Sequence, residues 1–390
     1  MNALIFGAGK IARGFVAHLL HLSGIPFTLV ESNRGLVELL NRRGRYHVEV
    51  MGNAAQSVEI AGYRALLLDD HEAIADAWAQ APLVFTCVGG KNLEALAVHL
   101  SALIGKRLAI TTEITNLITC ENWKQPAALL RDRVKALIAA EIAPVFLKSF
   151  GFSEAVVMRS AIEPTAEQLA RDPLWVNVQD FWELPVDRSR IVGEPAPVKG
   201  LDYIDGFSGY LERKFYTYNA ANGTTSFLGH LRGHRYLYDA ANDPWIVTAL
   251  EGVYQETGAA LVARHKISAA QQREFAASSL RKLQDRNIID YVERNARDPR
   301  RKLGPEDRLV GSARMALENG VEPKWLARSI AAAIHYEEPA DPSAVELSRM
   351  LEEKGIDYVL AEVCKVKPDE PLGRLVKNAE ADLRQEGILK

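Results

Sequence analysis

The sequence predicts an α/β protein with a Rossmann-type N-terminal domain and an extended sheet over residues 1–192, followed by a mainly α-helical C-terminal domain over residues 193–390. Three observations carry this. Short apolar runs alternate with helical stretches through the first half, the pattern of a parallel sheet with helical crossovers. The first run ends in a glycine-rich turn, "GAGKIARG". Beyond about residue 205, long helical periodicity takes over and β-branched runs become scarce.

Taken in order, "ALIF" (3–6), "FTLV" (27–30), "LVFTCV" (83–88) and "LAITT" (108–112) read as buried strands. Helix-compatible stretches at 11–23, 33–43, 72–80 and 92–104 separate them. A second group, "AVVMRSAI" (155–162) and "LWVNVQDFWEL" (174–184), predicts an extension with local antiparallel pairing. The stretch from Asp187 to Asp205 contains "GEPAPVKG", and its Pro and Gly mark the connection between domains. "DPWIVTALEGVYQETGAALVARH", "EPKWLARSIAAAIHY" and the closing "PLGRLVKNAEADLRQEGILK" are predicted helices of the second domain.

Composition narrows the function classes. A chain of 390 residues can bury two cores, and 48% apolar with 25% charged residues is ordinary for a soluble fold. A net charge of −3 offers no basic face for nucleic acid or an anionic membrane. No apolar run reaches the roughly 18 residues of a membrane span, and the start lacks the basic region of a signal peptide. Cys87, Cys120 and Cys364 form no CxxC pair, which points to a reducing compartment and away from thiolate zinc. The expectation is a cytoplasmic protein with a small-molecule partner, monomeric or a small homo-oligomer.

In the glycine-rich turn, Gly7, Gly9 and Ala12 stand in the G-x-G-x-x-G/A arrangement. Gly7 permits the strand-to-helix turn, Gly9 lets backbone approach a pyrophosphate, and Ala12 keeps the helix near the sheet. The backbone from Ala8 through Lys10 and Ile11 then faces the anion at a helix start. Glu31 closes the second strand about twenty residues on, where a carboxylate accepts ribose hydroxyls and repels a 2′-phosphate. This predicts NAD rather than NADP, with Arg34 close enough to soften the preference. The "CVGGKN" loop, with Val88 and Gly89, belongs at the carboxyl edge of the sheet where the cofactor crosses.

An enzyme that oxidises an alcohol with such a cofactor needs a group to take the hydroxyl proton: zinc, a Tyr–Lys pair, or a base with amide donors. His18/His21 and His230/His234 lack the Cys or acidic partners of a zinc pattern. No Tyr-x-x-x-Lys motif lies in the right part of a Rossmann unit. "ERKFYTYNAANGTTSFLG" (212–229) remains. On a regular helix Lys214 lies at 0°, Asn222 at about 80° and Asn219 at about 140°. Phe215, Tyr218 and Phe227 supply apolar surroundings that would depress a lysine pKa. The pattern leaves both a catalytic and a solvated lysine open.

At these residues the sequence resembles the polyol-specific long-chain dehydrogenases, the mannitol dehydrogenase family, nearest its branch acting on mannitol 1-phosphate. "FGAGKIARGF", "TCENW" (119–123), "DPLWVNVQDF" (172–181), "RKLGPEDRL" (301–309) and "SIAAAIHY" (329–336) carry the resemblance over almost the whole chain. It implies metal-independent hydride transfer between NAD(H) and an open-chain polyol or its ketose. Lys214 would be the general base or acid, with Asn219, and Asn122 as a second, in the oxyanion pocket. The family motif Lys-x-x-x-x-Asn-x-x-His meets Asn222 here in place of histidine, a residue that can bond but not titrate. Arg301, Lys302 and Arg308 lie in the matching basic segment and would hold a phosphate or carboxylate, with Arg300 and Arg159 as further cations. A polyol phosphate paired with fructose 6-phosphate is the leading expectation. A free polyol or hexuronate, or an idle NAD-binding sensor, are the alternatives.

Overall fold

The computed structural model describes residues 1–389. The chain divides into two compact units, Met1–Phe207 and the residues from Ser208 onward. Residues 193–207, assigned by sequence to the helical half, therefore lie in the first unit.

The strands of the first unit are β1 (Ala3–Phe6), β2 (Phe27–Glu31), β3 (Arg45–Val50), β4 (Val58–Ala61), β5 (Arg64–Leu67), β6 (Leu83–Thr86), β7 (Thr115–Thr119), β8 (Phe150–Glu154), β9 (Ala161–Ile162), β10 (Val176–Val178), β11 (Leu184–Asp187) and β12 (Leu201–Ile204). Six of them form one sheet in the order β5-β2-β1-β6-β7-β8, with every pairing parallel. Renumbered within the sheet this is 3-2-1-4-5-6, the doubly wound order that binds dinucleotides where strand order reverses, between β1 and β6. Side-chain alternation builds a core on each face. Ala3 and Ile5 join Leu29, Phe85 and Ile118 on one side, while Leu4 and Phe6 join Val30, Val84 and Leu117 on the other.

The extension is a second sheet, β4-β3-β10-β9, in which β10 runs parallel to β3 and antiparallel to β9. Only Ala161–Ile162 of the expected strand at 155–162 pairs within it. The expected strand at 174–184 is two strands, β10 and β11, with a bend between. β11 pairs in parallel with β12, and this pairing draws the Pro-rich segment into the first unit.

The strand expected at 108–112 is a correction. Helix Leu93–Ile110 runs through it, and the strand is β7, "TNLIT". Leu96, Leu100, Leu103, Ile104 and Arg107 continue the buried helical stripe to its end. A five-residue apolar run cannot be told from a helix terminus by periodicity.

The second unit is helical, around a core that includes Phe227, Leu250, Val253, Ile330, Leu360 and Val376. Helix Pro244–His265 begins where the Asp243 side chain accepts from the Trp245 amide, and the closing helix is Pro371–Gln385. No helix among the described residues is long and apolar enough to cross a membrane.

One glycine outside the glycine-rich turn's motif sets how the first helix seats. A Cβ on Gly14 would lie 2.6 Å from the Cγ1 atoms of both Val176 and Val178. Both valines are fully buried in the second sheet. Gly14→Ala should therefore overpack this contact and cost about 1–3 kcal/mol. Urea unfolding followed by far-UV circular dichroism will show the loss as a lower midpoint with an unchanged slope.

Candidate active site

The first unit supplies a cradle at the carboxyl edge of its parallel sheet. Gly7 has φ +94°, and a Cβ there would stand 2.5 Å from the Cys87 carbonyl oxygen. Only glycine combines this conformation with so close an approach between the β1 and β6 ends. Above Gly9 nothing lies within 4 Å of an added Cβ, so a ligand can approach the backbone there. The chain is helical from Lys10, and the first amides of a helix have no acceptor within it. The Lys10 ammonium itself pairs with Glu163, which leaves the backbone of Lys10 and Ile11 as its part in the cradle.

Glu31 sits at the end of β2 and holds this loop. One carboxylate oxygen accepts from the Ala8 amide at 2.9 Å, and the other from the amides of Ser32 at 2.8 Å and Asn33 at 3.0 Å. The second oxygen also accepts from the Ser32 hydroxyl at 3.1 Å, so the oxygen bonded to Ala8 is the one that keeps a lone pair for a ribose hydroxyl. On the far side of the switch point, Val88 donates its amide to Glu121 at 2.9 Å, and the Thr86 hydroxyl donates to the other Glu121 oxygen at 2.7 Å. Gly89, with φ +84°, turns the loop toward the helix that follows. Glu121 is 6% exposed, and burial raises its pKa. Sequence reading passed over Glu121, although "TCENW" contains it; its role as a clamp on the β6 end shows only when β6 and β7 are side by side. Asn122 follows it with an exposed side chain in the same unit.

The second unit gathers the remaining candidates. After helix Phe207–Lys214 the chain makes a π turn over Phe215–Asn219, in which the Ala220 amide bonds back to the Phe215 carbonyl. The extra residue in such a turn reduces the rotation between residues five apart, so Asn219 comes nearer the side of the helix that carries Lys214, with Asn222 three residues on in helix Ala220–Leu231. The 140° separation expected from a regular helix does not apply, because the π turn absorbs it. Arg308 lies over the Phe215 ring at 5.9 Å, and Gly223 leaves room for its chain: an added Cβ would meet Arg308 Cδ at 3.2 Å.

The charges around this face follow from burial. Lys214 is pushed down to about 8, first by loss of water and then by the Arg308 charge. Lys282 falls to about 8 through burial and then the charge of Lys214. Lys302, 4% exposed, falls to about 8 by burial and the charges of Arg308 and Arg301, and its ammonium donates to the Arg297 carbonyl. Asp307 joins the two arginines, accepting from Arg308 Nε at 3.0 Å and Arg301 Nη1 at 3.2 Å. Arg301 also reaches Asp298 at 2.9 Å. Lys282 was missed in the sequence, where "LRKLQ" looks like any solvated helix face. Asn295 was missed too; its Oδ1 accepts from Asn222 Nδ2 at 3.0 Å across 73 residues of chain.

Two of the further cations have other tasks. Arg159 is buried, donates to the carbonyls of Gln179 and Gly14, and stacks on Trp182 at 4.2 Å. Arg300 pairs with Glu346. Neither nearby histidine takes the place of the motif histidine at 222: His230 packs on Tyr336, and His234 pairs with Asp243 at 2.8 Å.

Residues 1–199 match the mannitol dehydrogenase Rossmann domain and residues 207–380 the mannitol dehydrogenase C-terminal domain. The chain is 34% identical over 380 residues to a mannitol-1-phosphate 5-dehydrogenase of Bacillus licheniformis, covering 96% of this chain and 98% of that one. It is 32% identical over 385 residues to the Brevibacillus brevis protein of the same name, covering 99% of each. Among solved structures, a D-sorbitol dehydrogenase in substrate-free form shares the fold with a TM-score of 0.79 at 16% identity, covering 100% of this chain and 94% of that one. A Pseudomonas fluorescens mannitol 2-dehydrogenase, in a ternary complex with NAD and D-mannitol, superposes with a TM-score of 0.65 at 17% identity, covering 100% and 92%. A doubly wound sheet with a glycine-rich cradle at its switch point defines a dinucleotide-binding protein. The chain belongs to the mannitol dehydrogenase family, and is an NAD-dependent enzyme of the polyol class.

The cradle makes a sharp demand at one position. Gly7→Ala adds a Cβ against the Cys87 carbonyl in a backbone region closed to alanine. NADH titrated against protein fluorescence should bind at least about tenfold more weakly to this variant than to the parent.

Proposed function

We propose that the chain interconverts a polyol phosphate and its ketose phosphate, mannitol 1-phosphate and fructose 6-phosphate or close analogues, with Lys214 as the proton-transfer group. The desolvated Lys214 on one face with Asn219 and Asn222, beside the Arg308 cation, carries this reading. Support for the phosphorylated substrate comes from the relatives named mannitol-1-phosphate 5-dehydrogenase and from the cations opposite that face.

The loop from Gly7 to Ile11, Glu31 and the Val88–Gly89 turn would hold NAD, which would supply the hydride acceptor for oxidation and the donor for reduction. The work of the chain is the proton and the charge. With its pKa near 8, Lys214 is partly neutral at neutral pH and can accept the hydroxyl proton of the alcohol through Nζ. In the reduction direction the protonated amine returns that proton to the carbonyl oxygen. Asn219 places an amide N–H toward the same oxygen, where it offsets charge as the alkoxide develops. Arg308 and Lys302, with Arg301 at the exposed end, balance the substrate's phosphate. Asn122 is proposed as a second amide of the oxyanion pocket, on the resemblance alone.

NADH oxidation on adding fructose 6-phosphate tests the reading, with free fructose and keto-hexuronates as comparison. Preference for the phosphate ester by kcat/KM is expected; preference for a sugar acid would assign the cations to a carboxylate. Lys214→Ala should lose about 10²–10⁴ in kcat while keeping NADH affinity. An idle sensor would show no turnover to lose.

The pH dependence has a definite sign. Oxidation needs neutral Lys214, so its kcat/KM should rise with pH and level off above about 8, and reduction should fall over the same range. Arg308 contributes to the low value by repelling the protonated amine. In Arg308→Ala that repulsion is gone, the lysine holds its proton longer, and the inflection should move to higher pH as KM for the phosphate ester rises. An inflection that stays in place would separate Arg308 from Lys214.

A further inference from the structure

We propose that Asn295 is a positioning residue for the polyol site: it fixes the amide of Asn222 so that the amide oxygen, not the NH2 group, is presented to a substrate hydroxyl. The proposal rests on the reading of the Lys214 face as the active site.

The direction of the chain of bonds is set by an atom with a single role. The Tyr291 backbone carbonyl can only accept, and Asn295 Nδ2 lies 3.0 Å from it. Asn295 must therefore direct its NH2 group back to Tyr291, four residues earlier in the chain. Its Oδ1 then points to Asn222 and accepts from Asn222 Nδ2 at 3.0 Å. One N–H of Asn222 is committed to Asn295, which fixes the orientation of the amide and leaves its oxygen as the acceptor it can offer.

An acceptor there answers a need created by the neighbours. Arg308 and the protonated lysines are donors with no accepting atom, and the lone pair of neutral Lys214 is reserved for the reacting hydroxyl. A polyol hydroxyl can accept from any of them through its oxygen, but its own proton then needs an acceptor. The Asp307 carboxylate is engaged at both oxygens by Arg301 and Arg308. The Asn222 oxygen meets this need for a hydroxyl other than the reacting one. A flipped Asn222 would instead add one more donor to a donor-rich wall and leave that proton unbonded. The same arrangement gives a reason for asparagine at 222: one limb is anchored and the other is free.

The test compares Asn295→Leu with Asn295→Asp, alone and in an Asn222→Ala background, reading kcat and KM separately on the best ketose substrate of the parent enzyme. Leucine removes the acceptor for Asn222 Nδ2, and KM should rise roughly three- to tenfold with kcat held within about twofold. Aspartate keeps an acceptor for Asn222 Nδ2 but loses the bond to the Tyr291 carbonyl, and its KM should rise less than that of the leucine variant. In the Asn222→Ala background, Asn295→Leu should change nothing further, because the group it positions is gone. A parent-like KM for Asn295→Leu, an Asn295→Asp as impaired as the leucine variant, or additive effects in the double variant would each overturn the proposal. If Asn295→Leu fails to fold, Asn295→Ala, which also removes the acceptor, replaces it with the same expected rise in KM and the same comparison in the Asn222→Ala background. The parent's own rate, measured first, reports on the site: a parent that reduces no ketose overturns the site reading and this proposal with it.

Discussion

The Ala220 amide bonds to the Phe215 carbonyl, five residues back, and the arrangement around Lys214 depends on the extra residue held in that turn. In a regular helix Asn219 would point well away from Lys214. The wider turn brings the two nearer one side, and the intervening side chains enter separate contacts. Thr217 is fully buried and its hydroxyl accepts from Gln272 at 3.0 Å. Tyr218 meets Phe275 edge-on at 5.0 Å, and Phe215 lies beneath Arg308. These contacts stabilise a turn that would otherwise lose out to the α-helix, because π turns are rare and confined largely to single functional bulges. The polar face and the aromatic packing are thus two consequences of one backbone choice.

The first unit uses the same device. Beyond the glycine-rich turn the helix takes a π turn over Ala12–Val16, closed by the Ala17 amide on the Ala12 carbonyl. Arg13 is buried there and donates to the carbonyls of Ala8 and Leu174, tying the cofactor loop to the second sheet. Gly14 lets the same turn press on Val176 and Val178. The cradle at Gly7–Ile11 is therefore fixed from below by the sheet extension as well as by β1 and β6. That gives the extension a purpose beyond enlarging the core.

Much of this could be read from the sequence, and the failures share a cause. The glycine-rich turn, Glu31 and the alternation of strands and helices are local signals, and each has its expected place. Lys214, Asn219 and Asn222 were also local, yet their mutual angles were misjudged, because nothing in "KFYTYNAAN" announces a π turn. The strand misplaced at 108–112 failed for want of length. Asn295 and Glu121 act through partners on distant segments, 73 residues away for Asn295 and 33 for the Glu121 bond to Val88. Arg159 and Arg300 stood in the sequence as further cations beside Arg301, Lys302 and Arg308, and their partners on distant segments give them other tasks. Local chemistry was legible, whereas the register between segments was not.

Electrostatics also limits where the substrate's charge can sit. Moving a lysine from 10.5 to about 8 penalises its charged form on the order of 3 kcal/mol. A phosphate placed against Lys214 would refund that penalty, raise its pKa again and leave it protonated, a poor base for oxidation. The two functions therefore need separation along the face. Arg308 provides it: as a permanent cation it can pair with the phosphate on one side while its charge still acts on Lys214 on the other. Asp307 holds the guanidinium in place through Nε, which leaves the terminal nitrogens of the fork for the anion. The polyol would then run from Lys214 and Asn219 at its reacting carbon toward Arg308 and Lys302 at its phosphate. The hydroxyls between would lie opposite Asn222, where an acceptor that carries no charge would leave the lysine's pKa undisturbed.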